Sequence, residues 1–281
     1  MTDALIEELR AAYDARLRGV STPGPGREVT CDGPLTRVTG GHRGLITGPR
    51  DLGLRGAALD ELIARQREFW AARGEAVEWK TRGHDLPEDL PERLRAAGFV
   101  PEERETVVIG ESAALAATTV RLGPELSIRQ VEDRADLERV AALQSEVWQE
   151  DFGWLAEDLA GRIAAGPESI AVLAAEAGNR MVSAAWLVLN PGSDFGGLWG
   201  GSTLAAWRGR GVYRALIAHR ARLAAERGVR HLYVDASEDS APILGRLGLT
   251  AVTTTTPYVW TPGGRGPVPP GAGAVKGAGP G

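Results

Sequence analysis

The sequence predicts an α/β protein: a C-terminal lobe on a mixed central sheet flanked by helices, preceded by a second, incomplete lobe of the same kind. Three observations predict it. Hydrophobic residues make up 43% of the 281-residue chain and charged residues 25%, the balance of a globular protein with a real core. The C-terminal half alternates segments in the order β-α-α-β-β-β-α-β-α-β, mixing hairpin-linked strands with crossover helices. Part of that order also occurs twice.

The first copy runs LRGAALDELIARQREFWAARG, EAVEWKTRG, HDLPEDLPERLRAAGF, VPEERETVVIG, and the second GRGVYRALIAHRARLAAERG, VRHLYVDAS, EDSAPILGRLGL, TAVTTTTPYVW. Each is an Arg-Gly turn, an amphipathic helix, an Arg-Gly stop, a short strand, a second helix ending near Gly, and a final β run. Leu59, Leu62, Ile63, Gln66, Phe69 and Trp70 recur at helical steps, as do Val212, Leu216, Ile217, Arg220 and Leu223. Gly74 and Gly228 stand where helix C-caps belong. Helix-Gly-strand units are common in α/β proteins, but a matched order of four elements favours duplication.

In chain order, the N-terminus MTDALIEELRAAYDARLRG reads as an amphipathic helix without the apolar core of a signal peptide. β-type material follows at Glu28–Thr39 and Arg43–Thr47, and then the first copy, so residues 1–110 form a partial lobe. Residues 111–125, rich in Ala, Thr, Gly and Pro, read as a linker. The full lobe spans 126–260. It opens with a strand at Ser127–Val131 and a helix at Asp133–Trp148 capped near Asp133. A helix at Trp154–Ala165 comes next, then strands at Ile170–Ala175, Met181–Leu189 and Leu198–Leu204, the first two joined through Gly178-Asn179. Residues 261–281 are almost wholly Gly, Pro and Ala and are expected to be a disordered tail.

The net charge of −5 and pI near 5.6 argue against nucleic acid or anionic lipid as partner. No apolar run is long enough to span a bilayer, so no membrane partner and a cytoplasmic location are expected. The single cysteine, Cys31, excludes a disulfide framework and a multi-cysteine metal site, and no metal is expected.

The chemistry concentrates where a strand meets a helix, at Arg208-Gly209-Arg210-Gly211-Val212-Tyr213. Glycines let the backbone turn tightly and approach a ligand. The first turn of the helix offers amide groups without intrahelical partners at the positive end of the dipole, a site for a diphosphate. Arg208 and Arg210 add guanidinium donors. An isolated RGRG is more often a solvated basic turn. The strand before it, the amphipathic helix after it, and the strand and LGRLGL helix beyond reverse that preference.

In this segment the sequence resembles the GNAT superfamily of N-acetyltransferases. The family carries an Arg/Gln-x-x-Gly-x-Gly/Ala loop that wraps the pyrophosphate of coenzyme A, and Arg208, Gly211 and Tyr213 stand at its three defining positions. Tyr213 replaces the family's small final residue. The resemblance implies a GNAT-type fold over about 126–260, with acetyl-CoA as co-substrate. It further implies that Ser202, Thr203 and Leu204 meet the pantetheine arm through their backbone. Ser237 falls where many members have a CoA-contacting Asn, and Leu244 where many place the Tyr that protonates the departing thiolate.

Acylating an amine requires its neutral form, so a carboxylate or water chain must take a proton. Asp235, at the end of a strand beside the binding strand, is the first choice, with capping of the next helix as its structural alternative. Glu150, with Asp151 beside it in the helix-helix connection, is the second. Asp194 in NPGSD reads as a turn residue, His84-Asp85 as a loop, and His219 as surface or groove lining; Tyr213 and Tyr258 are possible acids, with packing the commoner role of a buried Tyr. The N-terminal copy has only Leu52-Gly53-Leu54-Arg55-Gly56 where the second has RGRG, and it is expected not to bind CoA. The sequence thus leads to an acetyl-CoA-dependent N-acetyltransferase acting on a small-molecule or amino-acid-like amine. Acetylation of a protein N-terminus or lysine, and non-catalytic acyl-CoA binding, are the alternatives.

Overall fold

A computed structural model describes residues 3–18, 26–189 and 192–264. The segment expected to be a disordered tail therefore lies outside the described residues from position 265 onward. The N-terminal half contains α1 (Asp3–Leu17), β1 (Glu28–Asp32), β2 (Leu35–Thr39), β3 (Gly44–Thr47), α2 (Gly56–Arg73), β4 (Val77–Arg82), α3 (Leu90–Ala96), β5 (Val100–Pro101) and β6 (Glu105–Glu111). Next come α4 (Ser112–Ala116), β7 (Leu126–Gln130), α5 (Arg134–Trp148), α6 (Leu155–Ala165), β8 (Ile170–Ala177), β9 (Arg180–Leu189) and β10 (Phe195–Thr203). The chain continues with α7 (Val212–Glu226), β11 (His231–Ala236), α8 (Ala241–Arg246) and β12 (Thr250–Trp260).

The chain forms two compact units. One comprises residues up to Glu105 and the stretch beginning at Thr253; the other comprises Thr106–Val252. The N-terminal unit carries a sheet ordered β1-β2-β3-β4-β12, mixed because β3 and β4 run parallel with α2 as their crossover. Leu59, Leu62, Ile63 and Trp70 of α2 bury against Ile46, Val77 and Trp79 of the sheet, the helical and alternating periods meeting in one core. Gly74 stops α2 at φ 66°, its amide bonding back to the last turn.

The second unit has the order β6-β11-β10-β9-β8-β7, with only β10 and β11 parallel. Helix α7 makes that crossover and packs with α4 and α8 against Leu187, Leu198, Leu232 and Val234. Helices α5 and α6 cover Val172, Ala184 and Trp186 on the opposite face. Alternate residues of β9, Ala184 and Trp186 against Ala185 and Leu187, serve opposite faces, as a period of two requires.

The unit boundaries differ from those expected at 110 and 126. Strand β6 pairs antiparallel with β11, so the final strand of the first copy completes the second unit. Strand β12 pairs with β4, so the final strand of the second copy completes the first unit. The copies have exchanged their last strands. The expected linker likewise begins as α4, with Ser112 and Leu115 buried and the Ser112 amide bonded to the Arg230 carbonyl at 2.9 Å.

Candidate functional site

Parallel pairing of β10 with β11 covers only Phe195–Gly197 against His231–Tyr233. Beyond it β10 follows β9 and β11 follows β6, so the two strands part. Where they part, β10 bulges: Trp199 pairs with Trp186 and Ser202 with Ala184, three steps on one strand against two on the other. Gly200 takes φ 61° there, and a Cβ on it would lie 1.9 Å from the Trp186 ring.

Buried polar side chains hold the bulge from both faces. From α5, Gln144 donates to the Gly200 carbonyl at 2.6 Å and accepts from the Ser202 hydroxyl at 2.8 Å, while Trp148 Nε1 donates to Ser202 Oγ at 2.9 Å. From α7, Arg220 is buried to 1% exposure and donates to the Trp186 and Trp199 carbonyls, both at 3.3 Å. Burial brings its guanidinium down to about 10, against the opposing pull of Tyr213. Gln144 interrupts the apolar stripe of α5 and Arg220 that of α7, and both are signs of this network in the sequence.

After Thr203, a 3-10 turn at Ala205–Trp207 leads to Arg208 in extended backbone and then to Gly209 at φ 73° and Gly211 at φ 80°. Gly211 is the N-cap of α7, and no side chain caps the helix start, so its first amides stay available at the positive end of the dipole. A cavity of about 290 Å³ opens there, bounded by Thr203, Trp207 and the Arg208–Arg214 turn, and across from these by Ile243, Arg246 and Leu247 of α8.

Arg208, Arg214 and Arg246 line this opening, and Arg210 lies in the same turn without lining it. Arg208 Nε donates to the Thr203 carbonyl at 3.1 Å. Arg210 lies 4.7 Å over the Trp207 ring and 3.9 Å from the Glu125 carboxylate. Arg214 and Arg246 line the cavity and have no hydrogen-bond or ion-pair partner among the described residues. Sequence reasoning missed these two, although Arg214 stands one helical turn after Arg210, and Ile243, Arg246 and Leu247 share one stripe of α8.

Of the residues singled out from sequence, Thr203, Arg208, Gly209, Gly211, Val212 and Tyr213 line the cavity. The Leu204 amide bonds to the Val182 carbonyl at 2.9 Å, and the Ser202 side chain belongs to the buried Gln144 network. Ser237 Oγ lies 3.1 Å from Ser240 Oγ and accepts from the Ser240 amide at 3.4 Å, bracing the turn into α8. Leu244 is fully buried in the core under α7. Tyr213 packs in that same core. Burial pushes its phenol well above the ordinary range, with Arg220 and the Ser240 hydroxyl pulling the other way.

Asp235 is 3% exposed and opposes Val107 on β6. It alternates with Val234 and Ala236 of the α7-side core, which places it on the Tyr233 face of the sheet. There the Trp199 and Tyr233 rings meet edge to face at 6.2 Å. Glu150 follows the left-handed C-cap Gln149 of α5, and its Oε2 is shielded from solvent without a hydrogen bond. His219 is pushed below its ordinary value by burial and then by Arg222. His84 and Asp85 form no dyad: the imidazole sits between Thr253 Oγ1 at 2.7 Å and Asp14 Oδ2 at 2.9 Å, while Asp85 accepts from Arg18 and the Arg82 amide.

Among the described residues no cluster of three or more His, Cys, Asp or Glu side chains gathers as a metal site, and no helix is long and apolar enough to cross a membrane.

No curated protein sequence matches the chain. A GCN5-related N-acetyltransferase from Kribbella flavida superposes with a TM-score of 0.66 at 18% identity, covering 85% of this chain and 91% of that one. A functionally unknown conserved protein from Staphylococcus epidermidis gives 0.63 at 14%, covering 85% and 95%. A tandem GNAT protein from the clavulanic acid biosynthesis pathway gives 0.60 at 14%, covering 95% and 96%. At these identities the likeness is one of fold. The model of the acetyltransferase (GNAT) family matches residues 131–248, which include the bulge, the glycine turn and α8. That segment is similar to the GNAT family, and the superposed structures share the fold of the chain.

Proposed function

We propose that the second unit is an N-acetyltransferase that uses acetyl-CoA and delivers the acetyl group to the amine of a small, amino-acid-like molecule. One observation carries the reading: Arg214 and Arg246, without partners of their own, face a cavity at the uncapped start of α7. That arrangement suits a diphosphate. Gly209 and Gly211 fit the same ligand, because they keep the turn free of side chains where phosphate oxygens would approach.

Bound acetyl-CoA would supply an activated thioester. The chain's own groups have the remaining tasks. The amides of Gly209 to Tyr213, with Arg208 and Arg210, hold the phosphates, and the backbone of Ser202 to Leu204 runs beside the arm. A strand amide near Thr203 or Leu204 would donate to an oxygen that gains negative charge. Asp235 and Glu150 are the carboxylates that can take the amine proton, Glu150 with an oxygen no donor occupies. Ser237 is a weaker contact, its hydroxyl engaged with Ser240. With Leu244 in the core, the thiolate takes its proton from solvent or from the Tyr213 phenol. The N-terminal unit does not share the cofactor role. Past its parallel β3–β4 pair, the Asp51–Leu86 bridge draws the strand extensions back together, and Arg82 Nη1 bonds Thr47 Oγ1 at 2.9 Å across the gap.

The test mixes the full chain with acetyl-CoA and a panel of free amino acids, alkyl amines and N-terminal peptides, and reads thiol release. Release with small amines and not with peptides is expected. Tight CoA binding without amine-dependent release would replace the enzyme reading with acyl-CoA binding alone. Arg214→Ala and Arg246→Ala should each weaken CoA binding by about 10- to 100-fold, the worth of a charge-assisted hydrogen bond of about 1.5–3 kcal/mol. Unchanged affinity in both would remove the site assignment.

A further inference from the structure

We propose that the N-terminal unit carries a binding site of its own for a small zwitterion of the α-amino-acid class. The site is a cavity of about 230 Å³ formed where the ends of β4 and β12 meet the start of α3 and the turn after β5. It is smaller than the roughly 300–1,000 Å³ of sites for drug-sized ligands, which suits a molecule of amino-acid size.

Four charged side chains line it: Arg82 and Asp85, which are engaged within the protein, and Arg104 and Glu88. Arg104 has no hydrogen-bond or ion-pair partner among the described residues, whereas Arg18, Arg37, Arg43 and Arg93 of the same unit each hold a carboxylate. Glu88 is in the same position. Its neighbours Asp85 and Asp89 are held by Arg18 and Arg93, and Glu88 by nothing described. Arg104 and Glu88 thus share one cavity without pairing with each other. One molecule bearing a carboxylate and an ammonium would satisfy both.

The third feature is Tyr258. Its side chain is 2% exposed and its ring packs in the core with Trp79, Leu94 and Phe99. Arg95 lies over the ring at 5.5 Å, but the hydroxyl, on a residue lining the cavity, has no hydrogen-bond partner among the described residues. The hydroxyl is not among the solvent-shielded polar atoms that lack a partner, and a carboxylate held by Arg104 can accept its hydrogen. Thr254 and Thr256 add hydroxyls to the β12 wall, and Leu90 gives an apolar surface for a side chain. This site owes nothing to the acyl-CoA reading of the other unit.

The experiment titrates the full chain calorimetrically with free L-amino acids one at a time, each beside its N-acetyl and its decarboxylated analogue. At least one amino acid is expected to bind, with both analogues about tenfold weaker or worse. Arg104→Gln should weaken the amino acid about tenfold and abolish the preference over the decarboxylated analogue. Glu88→Gln should abolish the preference over the N-acetyl analogue, and Tyr258→Phe should weaken binding about threefold or more. Arg104 and Glu88 are exposed, so both variants should fold and keep wild-type affinity for CoA. That control separates this site from any amino-acid binding at the acyl-transfer centre. No binding by any amino acid up to about 10 mM would overturn the proposal, as would binding untouched by Arg104→Gln and Glu88→Gln.

Discussion

The two glycines of the cofactor turn look alike in sequence and differ in space. Gly209 and Gly211 both hold positive φ, 73° and 80°, which costs an L-residue about 1–2 kcal/mol. A Cβ on Gly209 would meet nothing, whereas on Gly211 it would come within 3.0 Å of Val120 Cγ1. Gly209→Ala should therefore cost about 1 kcal/mol of stability and Gly211→Ala distinctly more, read as a drop in urea midpoint at constant slope. Equal midpoints for the two variants would show that the Val120 contact relaxes freely. The sequence alone identifies both as turn glycines; the contact that separates them joins positions 91 residues apart and is invisible to local pattern. Arg214 and Arg246 were missed for the same reason: a surface arginine on a helix acquires meaning only from the cavity it borders.

At the level of elements, the helices were legible because an apolar stripe at 3.6-residue spacing reports which face is buried. Even the Asp133 cap was legible, and its carboxylate accepts from the Asp136 amide at 2.9 Å. The bulge in β10 was not: its clamp joins Gln144 to Gly200 and Ser202 across 56 and 58 residues. Nor was the charge cluster that pins α5 to β7 and β8. Asp136 accepts from Arg129 at 2.6 Å and Arg139 at 2.8 Å, and Glu176 from the same two arginines at 2.8 Å. The Arg129 hydrogen bonds, against desolvation and with help from Arg139, hold Asp136 at about 2, below its ordinary value. A depressed folded-state value means that the stabilisation is complete above about pH 4 and fades as pH falls toward 2. Asp136→Asn should therefore lower the urea midpoint at pH 6, and the gap to wild type should narrow between pH 4 and pH 2.5. A gap that stays constant with pH would show that the carboxylate's charge contributes nothing.

For the molecule as a whole, the instructive departure from the sequence reading is the exchange of final strands. A β run such as TAVTTTTPYVW declares its conformation through alternation and β-branched residues, but nothing in it names a partner. In the structure it pairs with β4 over six register pairs from Thr255–Arg82 to Trp260–Val77, and with β5 at Tyr258–Pro101 and Val259–Val100. Side chains reinforce the ladder: Thr255 Oγ1 donates to the Thr81 carbonyl at 2.8 Å and Thr81 Oγ1 to the Thr256 carbonyl at 2.9 Å. Tyr258 completes the core around Trp79 and Phe99. Without β12, the N-terminal unit forfeits about 1.5–3 kcal/mol for that aromatic alone and leaves the β4 edge unpaired, against a total stability of about 5–15 kcal/mol for a typical domain. A fragment of residues 1–104 should consequently show no cooperative urea transition by far-UV circular dichroism, and a synthetic peptide of residues 250–260 should restore one in a concentration-dependent way. If the fragment alone unfolds cooperatively, with a midpoint the peptide does not move, β12 is an accessory to a unit that folds without it, and the first copy is complete in itself.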